Sequence, residues 1–259
     1  MVSMTTNVRV GVEWTNRFHQ DAEDENCRSP DLRYMDAHAE GFFLSMRDLF
    51  GHEGIFNWGD DNAWSTDFDH PDFGGDSLNW SDNVHFCFFA GHGSKFDFNE
   101  NGFKVAYNIG FPLKKPPDWA PCRSLSPQWR LGAGKLKWFV LDSCQMTVDT
   151  DPNHIVEAWG PPMQGIHLLF GFIDLQWVNA SSWHKRLSFA FDICRGEALA
   201  NAWLDTAYGW ENPNEPTRPI VIAAGVSRDD AINRRENETL DWLHFDVAST
   251  NWLAWKWRG

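Results

Sequence analysis

Two apolar segments that end abruptly in small residues constrain this chain most strongly. Residues 84–90 (VHFCFFA) lead into His92, which has a glycine on each side, and residues 136–142 (LKWFVLD) lead into Cys144. Apolar runs of this length, rich in Val and Phe, are typical of buried strands. Open α/β sheets bind their ligands at the carboxyl ends of such strands. The two segments therefore predict a candidate base and a candidate nucleophile at one edge of a sheet.

The order of the other patterned segments favours an α/β fold. The pattern predicts further strands at 8–14, 104–107, 166–172 and 219–225, and helices at 32–49, 155–159 and 189–208, the last broken at Gly196. Residues 52–82 are rich in Gly, Asp and Asn and are predicted to form a long loop. Strands that alternate with helices indicate a mostly parallel sheet with helices on both faces. We expect a single domain over residues 1–259.

Charge and composition exclude several classes of partner. The net charge of −14 argues against nucleic acid or an anionic membrane as a partner. The sequence has no apolar stretch long enough to span a bilayer and no signal-peptide pattern at its start, so we expect a cytoplasmic protein. Five cysteines, an odd number, then predict free thiols. The oligomeric state stays open.

The two motifs resemble those of the clan of caspase-like cysteine peptidases, which includes caspases, metacaspases, legumains, gingipains and separases. In that clan one strand ends in His-Gly, as in GHGS (91–94), and the next ends in a polar residue, a small residue and Cys, as in DSC (142–144). The 52-residue spacing from His to Cys is close to the value of about 50 in caspases. The caspase signature, Gln-Ala-Cys followed by Gly, is absent, because Gln145 follows Cys144. The chain is most similar, over residues 8–224, to a gingipain/legumain-like domain of unknown function, whose later strand matches GIHLLFGF (165–172).

This resemblance implies a three-layer caspase/haemoglobinase-like fold and a Cys-His dyad. Cys144 would be the nucleophile and His92 the base or the proton donor to the leaving group, while the N–H groups of Gly93 and Cys144 would form an oxyanion hole. The chemistry is consistent, because an ordinary thiol is mostly protonated at neutral pH and needs a base nearby. Glycine at position 93 lets its N–H approach a carbonyl oxygen closely. The alternatives are a structural histidine and a buried, inert thiol.

Aromatic residues are abundant, and Trp and Phe greatly outnumber Tyr. The chain has 16 Trp and 20 Phe but 3 Tyr, which indicates either a large aromatic core or a pocket lined by aromatic side chains. The resemblance implies that the loop after residues 166–172 walls the substrate pocket, where an acidic residue would receive a basic group and a Trp an apolar one. The candidate substrate-binding residues are Asp174, Gln176, Trp177, Trp58, Trp64 and Trp80.

Three functions are compatible with these features. The first is a cysteine-dependent hydrolase or acyl-transfer enzyme acting on a peptide. The second is a repurposed fold that acts on a small apolar or aromatic molecule in an aromatic-lined pocket, as a cyclase, isomerase or thioesterase. The third is a catalytically inactive binding module. Residues 149–153 resemble the start of a calcium loop but lack its glycine and its final glutamate, so we expect no metal site and no cofactor.

Overall fold

The computed structural model describes residues 7–18, 28–96, 106–111, 122–147, 149–244 and 249–259. Within these residues, eight strands form a mostly parallel mixed sheet, in the order β11-β10-β8-β7-β3-β1-β2, with β9 beside β10. The strands are β1 (Arg9–Trp14), β2 (Glu53–Gly59), β3 (Phe86–Ala90), β7 (Trp138–Asp142), β8 (Leu168–Ile173), β9 (Gly209–Asn212), β10 (Glu215–Gly225) and β11 (Trp252–Trp257). The predicted α/β class is therefore confirmed, with the difference that β10 and β11 are antiparallel to their neighbours.

A smaller antiparallel sheet continues from the main one. It consists of β4 (Gly93–Phe96), β5 (Ala106–Gly110) and β6 (Arg123–Leu125), and β4 follows β3 after two residues. The described helices are α1 (Met35–Leu44), α2 (Pro152–Trp159), α3 (Trp183–Cys194), α4 (Leu199–Ala207) and α5 (Arg228–Asn237). The strand predicted at 104–107 is β5, and residues 104 and 105 lie outside the described residues.

The central strands separate two apolar cores. Every residue of β3, β7 and β8 is buried, which is typical of strands covered on both faces. One face packs against α1, α3 and α4, with Phe42 and Trp203 at its centre, and we call it the first core. The other face packs against α2 and the smaller sheet, with Trp129 and Trp159 buried there, and we call it the second core. Helices therefore lie on both faces of the sheet, as predicted.

The loop predicted over residues 52–82 is wrong in its first part, because β2 pairs there in parallel with β1. Gly54 and Gly59 hide the strand pattern, but each makes room for a neighbour. A Cβ at position 54 would press on Phe43, and one at position 59 would overlap the indole of Trp14. Tertiary packing therefore selects glycines that weaken the local strand propensity.

The long helices follow their predicted positions with different boundaries. The segment 32–49 contains α1 and a π-helical turn, Ser45–Leu49. The segment 189–208 is two helices, α3 and α4, and the predicted break at Gly196 is confirmed by its φ of 91°. That left-handed conformation is one that glycine adopts without strain. The α2 prediction is also confirmed, whereas α5 and β11 were not predicted.

Candidate active site

Strand register brings the two motifs to the same edge of the main sheet. β3 and β7 are adjacent and parallel, and their last paired residues are Ala90 and Asp142. The Gly91 N–H then donates to the Asp142 carbonyl at 3.3 Å. His92 and Cys144 each follow two residues after that last pair. Because both strands end at the same level, the carboxyl edge of the sheet carries the imidazole and the thiol on neighbouring strands.

A backbone carbonyl sets the tautomer of His92. Its Nε2 lies 2.7 Å from the carbonyl oxygen of Pro30, and its ring packs against Phe18 with centroids 4.9 Å apart. A carbonyl oxygen can only accept, so Nε2 carries the proton and Nδ1 keeps a lone pair. Burial lowers the pKa of His92, an effect that the Pro30 hydrogen bond partly offsets. The ring is therefore neutral at pH 7 and accepts a proton through Nδ1.

Cys144 is a protonated, half-buried thiol in this arrangement. Its Sγ donates to the carbonyl of Gln176 at 3.9 Å. Burial raises the pKa of the thiol, a backbone hydrogen bond with Gln176 offsets part of this rise, and the charge of Asp142 adds to it. Among the hydrogen bonds of the described residues, none joins the imidazole of His92 to this thiol. The two groups follow adjacent strands, and each has a different hydrogen-bond partner.

Gly93 is required by its surroundings in a way that the sequence did not reveal. A Cβ at this position would overlap the hydroxyl of Tyr107 and lie 2.8 Å from the Cys144 carbonyl oxygen. Tyr107 is fully buried, and its hydroxyl bonds to Oγ of Ser143, directly before the nucleophile. Glycine at position 93 thus permits the contact that supports the turn bearing Cys144.

The register of β4 directs the Gly93 N–H towards that turn. Gly93 pairs with Ile109, and the preceding pair is bonded through the Gly110 N–H and the His92 carbonyl at 3.1 Å. Backbone groups of an antiparallel strand alternate in direction, so the Gly93 N–H points away from β5. The Lys95 N–H, two residues on, donates at 3.3 Å to the side chain of Gln145. The same side of β4 therefore faces the turn after β7, as an oxyanion hole requires.

A fully buried polar network lies directly behind the Cys144 turn. The Asp142 carboxylate accepts from Nδ1 of His38 at 2.7 Å, from Nε of Arg186 at 2.9 Å and Nη2 at 2.5 Å, and from Nε2 of Gln176 at 2.5 Å. Burial alone would raise the pKa of Asp142, but Arg186 and His38 outweigh it and hold the pKa at about 2. Nε2 of His38 lies 2.9 Å from Oγ of Ser182.

The sequence interpretation missed this network, although a signal was present. His38 falls on the apolar stripe of α1, with Met35, Ala39 and Phe42, and all four side chains are buried. A histidine on such a stripe needs a polar partner inside the core. That partner cannot be identified from periodicity, since Arg186 lies 44 residues beyond Asp142.

Two of the predicted substrate-binding residues already have strong partners. Gln176 is 8% exposed and its amide bonds to Asp142, so this side chain does not face a pocket. Asp174 forms an ion pair with Arg218, in which both side chains are about half exposed, and is therefore not an isolated acceptor for a basic substrate. The indole N–H of Trp177 donates to Glu215 at 3.0 Å.

Two of the three predicted tryptophans of the segment 52–82, Trp58 and Trp80, pack against the second core. Trp58 and Trp80 pack together with ring centroids 4.2 Å apart, and both contact Phe56. Trp64 is partly buried. The role of these three tryptophans in binding stays a prediction.

A cavity of about 240 Å³ opens where β1 and β2 end. Arg17, Phe18, Asp31, Asp60 and Asp61 line it, and Phe18 is the ring that packs on the imidazole of the dyad. Asp60 accepts from the Arg17 backbone at 2.9 Å and pairs with its guanidinium at 3.2 Å. The cavity is therefore polar, and none of the four predicted tryptophans is among these lining residues.

The cysteines differ from the expectation of free thiols. Cys87, Cys144 and Cys194 are free, but Cys122 is disulfide-bonded, and Cys27 lies outside the described residues. An odd count requires one unpaired cysteine and does not exclude a bond between loops that meet in space. Disulfides are typical of oxidising compartments, so this bond weighs against the cytoplasmic prediction.

Within the described residues, no group of three or more His, Cys, Asp or Glu side chains is arranged to hold a metal ion. The same part of the chain contains no helix with the length and hydropathy needed to cross a bilayer.

Comparison with known proteins gives a family and no function. No curated protein and no solved structure matches the chain. A family model described as a domain of unknown function (DUF6345) matches residues 12–258, a range that includes β3, β7 and the network behind Cys144. The chain therefore belongs to the DUF6345 family.

Proposed function

We propose that this protein is a cysteine-dependent hydrolase or acyl-transfer enzyme with Cys144 as nucleophile and His92 as its base, on a three-layer caspase-like fold. One observation carries the proposal. The parallel strands β3 and β7 pair in register as far as Ala90 and Asp142, and each delivers its reactive side chain two residues later. A base and a nucleophile delivered to one strand-end edge fit nucleophilic catalysis better than two unrelated structural side chains.

The geometry supports a defined proton path. The neutral imidazole accepts the thiol proton at Nδ1, and the thiolate attacks a substrate carbonyl to give a tetrahedral intermediate. Its oxyanion accepts hydrogen bonds from the N–H groups of Gly93 and Cys144. The imidazolium then returns the proton to the leaving group as the carbon–leaving-group bond breaks. Water, or another nucleophile in acyl transfer, attacks the thioester with His92 as base and frees the thiol.

Thiol alkylation tests the dyad without a known substrate. Iodoacetamide should label Cys144 faster than Cys87 or Cys194 at pH 7, with the modified peptides quantified by mass spectrometry. Burial raises the pKa of Cys194 to about 12 and that of the fully buried Cys87 well above its usual value, whereas Cys144 follows a strand adjacent to the one that carries His92. The His92→Ala change should slow labelling of Cys144 selectively.

A matched control uses an exposed histidine elsewhere. His154 bonds to Asp149 at 2.8 Å on the surface, and His154→Ala should leave the labelling rate of Cys144 unchanged. Labelling of Cys144 that is no faster than that of Cys194, or that is unaffected by His92→Ala, would contradict the dyad. In that case the protein is better described as a binding module.

The cavity beside Phe18 favours a second candidate, a repurposed fold that acts on a small molecule. Its volume of about 240 Å³ is below the range of about 300–1,000 Å³ that is common for drug-sized ligands, so it fits a small molecule or one side chain. Once a ligand is found by thermal-shift screening, Phe18→Ala should weaken its binding by roughly 1–3 kcal/mol in calorimetry. Trp177→Ala tests the aromatic-pocket prediction in the same assay. Turnover that survives Cys144→Ala would favour this candidate over the dyad.

A further inference from the structure

Gln176 connects the thiol to the buried network by two contacts, one through its side-chain amide and one through its backbone carbonyl. Its side-chain amide donates to Asp142 at 2.5 Å, and its backbone carbonyl accepts from Sγ of Cys144 at 3.9 Å. The side chain is 8% exposed, and Asp142 is fully buried. A long, flexible side chain held in this way fixes the position of its own main chain, because its rotamer freedom has been removed.

The anchor for this amide is rigid because it is bonded from two helices. Arg186 of α3 contacts the Asp142 carboxylate with two nitrogens, and His38 of α1 contacts it with one. Fork-like guanidinium–carboxylate pairs have little orientational freedom. Arg186 also balances the charge of a carboxylate that lies two residues before Cys144 and would otherwise disfavour a thiolate.

The two loops that meet at Cys144 are also bonded to each other. The Gln145 N–H donates to the Asp174 carbonyl at 2.6 Å, and the Asp174 N–H donates to Thr147 at 2.9 Å. Gln145 and Asp174 both have φ of 57°, a left-handed conformation that costs free energy in residues other than glycine. The contacts around them must hold these conformations. The segment 174–176 is therefore a fixed support for the turn after β7.

We propose that Gln176 is a positioning residue for Cys144, whose amide, anchored on the Asp142–Arg186 ion pair, holds the main chain against which the thiol rests. This inference rests on the dyad function proposed above, and it replaces the expected contact between the Gln176 side chain and a substrate. The sulfur of Cys144 contacts the carbonyl of Gln176, so a shift of this main chain changes the surroundings of the thiol. Releasing the side-chain amide from Asp142 should therefore change the pKa of Cys144.

The test is the pH dependence of Cys144 alkylation in Gln176→Met. Methionine keeps the length and most of the volume of glutamine but cannot donate to Asp142. Iodoacetamide labelling of Cys144 at pH 7 should change by on the order of three- to tenfold, and the midpoint of the pH profile should move by about half a unit to one unit.

Two further variants complete the experiment. Gln164→Met is the matched control, because Gln164 is exposed and its amide bonds to the Pro161 carbonyl at 3.3 Å, and it should leave the profile unchanged. Gln176→Asn keeps the amide on a side chain one methylene shorter, and it should shift the midpoint in the same direction by a smaller amount. It also provides the measurement if Gln176→Met does not fold, with near-UV circular dichroism as the criterion for native packing.

The outcomes separate this inference from the dyad itself. A folded Gln176→Met, or Gln176→Asn, with the wild-type midpoint and rate overturns the positioning role, even if His92→Ala slows labelling and the dyad stands. A shifted midpoint together with no effect of His92→Ala would support positioning and remove the dyad.

Discussion

Position 93 offers the sharpest structural test, because its surroundings leave no space for a side chain. In Gly93→Ala the new methyl group would overlap the hydroxyl of Tyr107 and lie 2.8 Å from the Cys144 carbonyl oxygen. Neither neighbour can give way easily. The Tyr107 ring is packed between Trp129 and Trp159, with centroids 6.2 and 5.5 Å away.

The expected loss of stability has two parts. Overpacking a closed site costs about 1–3 kcal/mol. If the tyrosine moves aside, the buried hydrogen bond between Tyr107 and Ser143 is also lost, at a cost of about 0.5–1.5 kcal/mol. Gly93→Ala should therefore lower the free energy of unfolding by on the order of 2–4 kcal/mol. It should also disturb labelling of Cys144, since the displaced carbonyl belongs to the nucleophile.

A double-mutant cycle isolates the cause. Tyr107→Phe removes the overlapping hydroxyl, although its ring Cζ would still lie 2.9 Å from the new methyl group, so relief should be partial. Urea unfolding, followed by fluorescence and by far-UV circular dichroism, should give a coupling of at least about 1 kcal/mol between Gly93→Ala and Tyr107→Phe. If the free-energy costs of Gly93→Ala and Tyr107→Phe add within about 0.5 kcal/mol, the reasoning is refuted, because substitutions at independent sites are additive to that extent.

Two further predictions concern buried carboxylates. Asp142→Asn should cost about 3–5 kcal/mol in urea unfolding at pH 7, because it leaves Arg186 buried without its counter-charge, whereas the exposed Asp48→Asn should have little effect. The pKa of Asp142 is held at about 2, below its ordinary range, so its stabilisation is present above about pH 4 and is lost as pH falls through 2 in wild type but not in the variant. Burial raises the pKa of Asp69 to about 7. The free energy of unfolding of the wild type should therefore decrease as pH rises from about 4 through 7, by at most about 1.4 kcal/mol per pH unit from this group. If Asp69→Asn keeps the wild-type dependence on pH, Asp69 is not its cause.

The arrival of His92 and Cys144 at one edge of the sheet could be predicted because its signal is local. Each motif is a short apolar run that ends in small residues, and adjacent parallel strands bring such ends together without any further information. The structure places both residues at that edge. The substrate-binding residues were harder to predict, since the role of a loop residue depends on its neighbours in space. Asp174 and Gln176 lie two residues apart in the same loop, yet Gln176 is buried against Asp142 and Asp174 is half exposed beside Arg218.

Sequence by itself determined the class of the fold, the central strands and the places where they end, because period and composition act over a few residues. It also determined that a thiol and an imidazole follow two of those strands. Tertiary structure alone decided the tautomer of His92, which depends on the carbonyl of Pro30, 62 residues earlier. It likewise decided the partners of Asp142, which come from α1, α3 and the loop after β8. Such contacts join residues that no local pattern relates, and burial then converts them into charge states and fixed positions.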